Sequence, residues 1–167
     1  QEGRRKRCVV LQGQGGCGKT PLLVAWRQAL LPLGFDVAWL SLTPEDNEPT
    51  RFIDYLLASI AQVDAGITRE AAELAGHGID GEAVERTVVA LVRGVARHAH
   101  ELVVVLDDLQ QLGEKPIHEA LQWLLDYSPP NLHLVLASRS TVPLSLARLR
   151  SQGLVLELDL RGLRFFA

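Results

Sequence analysis

An eight-residue segment near the start of the chain has the residue types and spacing of a phosphate-binding loop. It fits the pattern G-x-x-x-x-G-K-[ST] and reads Gly13-Gln14-Gly15-Gly16-Cys17-Gly18-Lys19-Thr20. Its glycines allow successive backbone N–H groups to turn inward around an anion, and the helix predicted to begin near Gly18 adds the positive end of its dipole. We expect Lys19 to contact the outer phosphates and the Thr20 hydroxyl to bind Mg²⁺. A glycine-rich turn without a ligand is the alternative.

The residue after this segment is unusual. A backbone N–H at that position commonly bonds the α-phosphate, but Pro21 has none. Proline is tolerated in the first turn of a helix, so the fold need not suffer, whereas the loss of one charge-assisted hydrogen bond would weaken binding by roughly 1.5–3 kcal/mol. We expect a nucleotide to contact Gly13, Gly15, Gly16, Cys17, Gly18, Lys19, Thr20 and Pro21.

Two acidic residues follow a continuous apolar run from Leu102 to Leu106. Such a run predicts a parallel strand buried on both faces, whose carboxyl end lies at the edge where ligands bind. Asp107 is then placed to hold Mg²⁺, directly or through water, and Asp108 to polarise an attacking water molecule. A surface turn is the alternative for this pair.

An arginine follows the next apolar run, from Leu132 to Ala137, in the dipeptide Ser138-Arg139. Its planar guanidinium suits phosphate oxygens, so we expect Arg139 to reach the γ-phosphate or the attacking water. A salt bridge with a nearby carboxylate is the alternative. The predicted catalytic residues are therefore Lys19, Asp108 and Arg139, and the predicted metal ligands are Thr20 and Asp107.

Five short apolar runs alternate with helical patterns and must position these residues. The runs are Cys8–Gln12, Val37–Ser41, Leu102–Asp107, Leu132–Ser138 and Leu154–Leu158. Helical stripes lie between them, with Gly34 as the stop of the first, Asp80 as the cap of the third and Pro116 in the first turn of the fourth. This alternation predicts a three-layer α/β domain of the P-loop NTPase type, with a five-stranded parallel sheet and a central β1. We expect the strands that end at Asp107 and Ser138 beside β1, and the other two at the edges.

Length and composition are typical of a single soluble domain. The chain has 167 residues, of which 47% are hydrophobic, and a formal net charge of −3. This charge argues against direct DNA binding through a broad basic surface. No apolar run is long enough for a membrane span, and two cysteines without a C-x-x-C pair favour a reduced, cytoplasmic protein. The chain ends on the apolar residues Phe165 and Phe166, and the sequence offers no further element against which they could pack. We therefore expect residues 1–167 to be one domain excised from a longer protein.

The five histidines show no H-E-x-x-H or other familiar metal-binding spacing. They are His77, His98, His100, His118 and His133. We expect hydrogen-bonded or solvated side chains at these positions.

Three stretches outside the phosphate loop carry a family resemblance. They are AWLSLTPEDNEPTRF at residues 38–52, IHEAL at 117–121 and PNLHLVLASR at 130–139. Together with the loop they resemble the large ATP-binding LuxR-type transcriptional regulators, which belong to the signal-transduction ATPases with numerous domains. The similarity extends from Val9 to Phe166.

The resemblance implies a switch. In this family ADP holds a closed, inactive monomer, whereas an inducer and ATP favour an open form that self-associates and activates transcription. Hydrolysis then resets the protein. The family's phosphate-loop lysine, magnesium threonine, acidic pair and sensor arginine fall on Lys19, Thr20, Asp107, Asp108 and Arg139.

The resemblance also implies further domains and two departures. Winged-helix, inducer-binding and DNA-binding parts would follow Ala167 in the parent protein. Family members often have an aromatic residue at Cys17 and a threonine at Pro21, so both positions bear on nucleotide affinity.

Other functions remain open from the sequence alone. A non-hydrolysing scaffold would use ADP to hold domains together, and an AAA-type motor would need an arginine from a neighbouring subunit. A small-molecule kinase is also compatible with the loop, although the acidic pair favours water as the nucleophile. A GTPase is disfavoured because the sequence contains no [NT]KxD motif.

Overall fold

Strands and helices alternate along the chain. The computed structural model describes residues 6–13, 19–76 and 81–159, with residues 19, 20 and 81 described by their backbone only. The strands are β1 (Cys8–Gln12), β2 (Asp36–Ser41), β3 (Leu102–Asp107), β4 (Leu132–Ser138) and β5 (Val155–Asp159). The helices are α1 (Lys19–Leu30), α2 (Pro49–Ala61), α3 (Ala65–Ala75), α4 (Gly81–Arg97), α5 (Lys115–Asp126) and α6 (Ala147–Ser151).

All five strands form one parallel sheet in the order β2-β3-β4-β1-β5. The parallel pairing, both edge strands and the position of β4 beside β1 confirm the prediction. The expected position of β1 in the middle is wrong, because β4 lies there and separates β1 from β3. The burial pattern agrees with this order: all seven residues of β4 are buried, whereas β1 ends at the polar and half-buried Gln12.

Alternate side chains of the strands enter two separate cores. The larger core lies between the sheet and helices α2 to α6, and from the strands it receives Val104, Leu106 and Leu134 among others. The smaller core lies on the opposite face of the sheet. Among the described helices only α1 contributes a buried residue to this core, and that residue is Leu23. The sheet is therefore the middle layer of three. None of the described helices is long and apolar enough to cross a membrane.

Capping residues explain where several helices begin and end. Glu48 caps α2 by accepting a hydrogen bond from the Thr50 backbone N–H at 2.8 Å. Asp64 caps α3 in the same way through the Gly66 backbone N–H. After α1 the chain makes one 3-10 turn, and the helical structure then ends at Gly34, which has a positive φ of 87°. The predicted stop at Gly34 is confirmed, and the predicted cap Asp80 lies outside the described residues.

Helices α3 and α4 approach each other closely at Gly94. A Cβ atom built on Gly94 would overlap the backbone carbonyl oxygen of Ile67. Since that oxygen belongs to the backbone of α3, it cannot move away without shifting the helix. Gly94 therefore sets how closely these two helices pack.

We expect Gly94→Ala to lower the free energy of unfolding by about 1–3 kcal/mol, because the added methyl group must push α3 away from α4. Chemical denaturation monitored by circular dichroism measures the change. Gly113→Ala is the matched control, since a Cβ there meets no atom closer than 4.0 Å. Equal stability of the Gly94→Ala variant and the unmodified chain would contradict the close approach.

Candidate nucleotide-binding site

The carboxyl ends of all five strands lie at one edge of the sheet, because the strands are parallel. The pairing register places Gln12 beside Ser138 and Ser41 beside Asp107. With neighbouring strands roughly 4.8 Å apart, the ends of β1 and β3 are separated by about 10 Å, and the end of β4 lies between them. The segments predicted to bind phosphate and Mg²⁺ therefore leave the sheet at the same edge.

The phosphate-loop residues Gln14, Gly15, Gly16, Cys17 and Gly18 lie outside the described residues. The structure describes both ends of the loop. Gly13 follows β1 directly and donates its backbone N–H to the Ser138 carbonyl oxygen at 3.0 Å. The backbone of Lys19 begins α1, and the exposed Pro21 lies in the first turn of this helix. The strand β1 thus precedes the motif and the helix α1 begins at its lysine, as the motif requires.

The two acidic residues differ in environment. Asp107 is the last residue of β3 and only 6% exposed, whereas Asp108 is half-buried in the loop that follows. Asp108 adopts a left-handed backbone with φ 63° and ψ 44°, and no other non-glycine residue in the described ranges has a positive φ. Aspartate tolerates this conformation better than most residues do. The chain therefore turns sharply between the two carboxylates at the edge of the sheet.

Gln110 connects the ends of β3 and β4. Its side-chain Nε2 donates to Asp108 Oδ1 at 3.2 Å, and its Oε1 accepts from the Arg139 backbone N–H at 3.0 Å. One amide therefore holds the predicted water-polarising carboxylate and the main chain of the predicted arginine in a fixed relation. Gln110 was not predicted from the sequence, where its only signal is its position two residues after the acidic pair.

Arg139 follows β4 and is exposed. Among the residues that the structure describes, its guanidinium has no carboxylate within ion-pair distance. The alternative of a salt bridge thus receives no support from these ranges. The structure brings the main chain of Arg139 to the same edge as Asp107 and Asp108.

Hydrogen bonds also fix the loop after β2 at this edge. The buried Asp46 accepts from the Thr43 backbone N–H at 2.9 Å and from the Thr43 hydroxyl at 3.2 Å. Asn47 Oδ1 accepts from the backbone N–H groups of Gly113 and Glu114 at 2.8 and 2.9 Å. Asn47 thereby ties this loop to the start of α5.

The cysteine on β1 is unreactive. Cys8 has no exposed surface, and burial, helped by the nearby charge of Glu157, raises the pKa of its thiol to about 12. The thiolate is the reactive form of cysteine, so Cys8 remains protonated and inert near neutral pH. The second cysteine, Cys17, belongs to the predicted phosphate loop.

The chain matches a known family of ATPase domains. The model of the family described as "AAA ATPase domain" matches residues 1–136. The chain belongs to this family. It is accordingly a nucleotide-binding AAA ATPase domain, with the phosphate-loop motif after β1 and the acidic pair at and after the end of β3.

Two curated relatives are similar over nearly the whole chain. The HTH-type transcriptional regulator MalT of Vibrio cholerae is 33% identical over 159 residues, which are 95% of this chain. The serine/threonine-protein kinase PknK of Mycobacterium tuberculosis is 32% identical over 166 residues, or 98% of this chain. The chain spans only 17% and 15% of the length of these two relatives. The similarity to MalT agrees with the resemblance to LuxR-type regulators.

Solved structures support the fold. Cdc6p from Pyrobaculum aerophilum has a TM-score of 0.58 at 16% identity, over 90% of this chain and 38% of that one. The Aeropyrum pernix Orc1 protein, solved in complex with DNA, has a TM-score of 0.52 at 22% identity, over 91% of this chain and 38% of that one. At these identities the likeness concerns the three-layer architecture alone.

We expect iodoacetamide at a pH of about 8 to leave Cys8 unmodified in the folded chain, because a thiol with a pKa of about 12 and no exposed surface is neither ionised nor accessible. Peptide mass spectrometry before and after unfolding in guanidinium distinguishes the two cysteines. Rapid modification of Cys8 under native conditions would contradict its placement on β1.

Proposed function

We propose that this domain binds ATP and ADP with Mg²⁺ and acts as a nucleotide-controlled switch in a bacterial transcriptional regulator. The observation that carries the proposal is the combination of the motif from Gly13 to Thr20, after β1, with a buried aspartate at the end of β3 on the same sheet edge. If the glycine-rich segment were a turn without a ligand, nothing would require a buried aspartate at the end of β3, which only β4 separates from β1.

The residue types at this edge fit a magnesium nucleotide. Thr20 and Asp107 are the proposed ligands of Mg²⁺, since hydroxyl and carboxylate oxygens suit this ion. Lys19 and the backbone N–H groups of the loop hold the phosphates, and Arg139 is available for the γ-phosphate because it has no carboxylate partner in the described ranges. The bound metal supplies charge neutralisation at the phosphates.

Asp108 is the proposed group that polarises the attacking water. Its side chain is half-buried and held by Gln110, which also contacts the main chain of Arg139. When the γ-phosphate is lost, the Arg139 guanidinium loses its proposed contact. Gln110 is bonded to both the Arg139 main chain and the Asp108 carboxylate, so a movement of Arg139 also affects Asp108. This connection gives the two nucleotide states a physical means to differ at the ends of β3 and β4.

The proposed regulatory role rests on the similarity to MalT and on the resemblance described above. On this proposal, ADP stabilises a closed monomer in the cytoplasm, and ATP with an inducer favours an open, self-associating form. Winged-helix, inducer-binding and DNA-binding domains of the parent protein act downstream of this domain. Slow hydrolysis returns the protein to the ADP form.

A non-hydrolysing scaffold is the second candidate function, and Pro21 favours it. Pro21 lies in the first turn of α1 and offers no N–H to a phosphate. A site that binds ADP tightly and turns over no ATP would match this candidate.

We expect millimolar Mg-ATP to raise the melting temperature of this chain by less than about 5–10 °C. A ligand at a hundredfold excess over its Kd stabilises the native state by about 2.7 kcal/mol, which corresponds to that shift, and the missing N–H of Pro21 weakens binding. Lys19→Ala should abolish the shift, and Pro21→Thr should enlarge it. Differential scanning fluorimetry measures both changes.

Arg69→Ala is the matched control for this experiment, because Arg69 is exposed on α3, whose cap Asp64 lies near His98 at the opposite edge of the sheet. Its shift with Mg-ATP should equal that of the unmodified chain. An undiminished shift in the Lys19→Ala variant would refute nucleotide binding by the phosphate loop.

We expect Asp108→Asn to reduce ATP hydrolysis by about 100-fold or more in the parent protein while nucleotide binding is retained, because a general base typically contributes at least this factor. Asparagine also tolerates the left-handed backbone of this position. Phosphate release measures turnover, and light scattering with ATP measures whether the variant stays self-associated.

Asp54→Asn is the control for this variant, because Asp54 is exposed on α2. Its turnover should equal that of the unmodified protein. Full turnover in the Asp108→Asn variant would exclude the role proposed for this carboxylate. Tight ADP binding without any turnover in the unmodified protein would favour the scaffold.

A further inference from the structure

Two histidines and an aspartate meet at the edge of the sheet opposite the nucleotide site. Asp36 is the first residue of β2, and His98 and His100 lie in the connection from α4 to β3. Asp36 Oδ2 lies 2.7 Å from His98 Nε2 and 3.3 Å from His100 Nδ1. One ligand atom from each residue lies within 4.8 Å of the other two. This cluster is remote from the chemistry proposed above, because it lies at the amino ends of the strands.

We propose that Asp36, His98 and His100 bind a divalent transition-metal ion of the zinc type. Imidazole nitrogen and carboxylate oxygen are common zinc ligands, with bonds of about 2.0–2.2 Å. Tetrahedral coordination at such lengths separates neighbouring ligand atoms by about 3.3 Å. The His100–Asp36 separation of 3.3 Å already has this value. The His98–Asp36 separation of 2.7 Å needs to open by roughly 0.6 Å.

The surrounding residues orient this set of ligands. Asn131 Nδ2 lies 2.8, 3.3 and 3.1 Å from the carbonyl oxygens of Val95, His98 and His100, and these three acceptors share its two hydrogens. These bonds fix the main chain that carries both histidines. The Asp36 backbone N–H also donates to the Glu101 carbonyl oxygen at 2.9 Å, which holds β2 against the same connection.

A further carboxylate lies near the second ring nitrogen of His98, which faces away from Asp36. Asp64 Oδ2 lies 3.7 Å from His98 Nδ1, while Asp64 Oδ1 caps α3 through Gly66. A carboxylate that is hydrogen-bonded to the second ring nitrogen fixes the tautomer of a metal-bound histidine and leaves Nε2 for the metal, and Asp64 needs to approach by roughly 0.8 Å to form this bond. His98 thus has one carboxylate near each ring nitrogen.

The local charge favours a cation. No lysine or arginine of the described residues forms an ion pair with Asp36 or Asp64. The His98 side chain is 10% exposed, and that of His100 is 61% exposed. The site is therefore open to solvent on the His100 side, where an ion can enter and water can complete the coordination.

The test is a zinc titration of this chain without a histidine tag, in competition with a chromophoric chelator. We expect one equivalent of Zn²⁺ to bind. Asp64→Asn should raise the Kd by about 10-fold, as is typical for loss of an outer carboxylate, and His100→Ala should raise it further by removing a ligand. His100→Ala is the principal variant, because the His100 side chain is exposed and its removal leaves the core unchanged.

His118→Gln is the matched control. His118 Nε2 lies 2.7 Å from the Leu112 carbonyl oxygen, away from the cluster. This variant should bind zinc as the unmodified chain does. Melting curves without metal should show that His100→Ala is folded, and adding Zn²⁺ should stabilise the unmodified chain and the control but not this variant.

Cobalt substitution identifies the ligand atoms. A cobalt complex of nitrogen and oxygen ligands lacks the intense near-ultraviolet thiolate band that a cysteine ligand such as Cys17 would produce. Absence of stoichiometric zinc binding, an unchanged Kd in the His100→Ala variant, or a thiolate band in the cobalt spectrum would each overturn the proposal.

Discussion

Backbone hydrogen bonds between β3 and β4 hold together two strands that are buried along their whole length. Neither strand can leave the sheet without exposing apolar side chains and unpaired backbone groups. Their parallel register brings Asp107 and Ser138 to one edge. The acidic pair and Arg139 follow these two strand ends directly, Gln110 joins them, and Gly13 bonds to the end of β4.

The five strands could be predicted nearly to the residue because apolar runs with flanking turns are a local signal. The predicted run Val37–Ser41 became Asp36–Ser41, and Leu154–Leu158 became Val155–Asp159. The order of the strands was harder to predict. β1, β3 and β4 are similar apolar runs, and their periodicity does not say which one lies in the middle. The sheet instead places the longest fully buried strand, β4, between the other two.

The candidate site shows the same division between local and distant information. The acidic pair and Arg139 could be proposed as site residues from the sequence because each follows an apolar run directly. Gln110 was missed because its two hydrogen bonds join segments that are adjacent only when β3 and β4 are neighbours. The contact between Asp36 and His98 joins residues 62 positions apart, so spacing within either segment gives no sign of it. Side chains that act across elements become visible only when the topology is known.

The unequal cover of the two sheet faces has a consequence for local opening. Five helices pack on one face, whereas the other has a single described helix, α1, in which Leu23 is the only buried side chain of those described there. Val24, Leu31 and Leu33 in and after this helix remain 42%, 46% and 54% exposed. Detachment of α1 therefore uncovers fewer buried side chains than detachment of α2, α4 or α5, and it costs less free energy than the opening of any of those three helices. Lys19, the lysine of the phosphate-loop motif, begins α1. A ligand bound by Lys19 therefore requires α1 to be docked on the sheet, and the observed binding free energy includes the free energy of docking this helix.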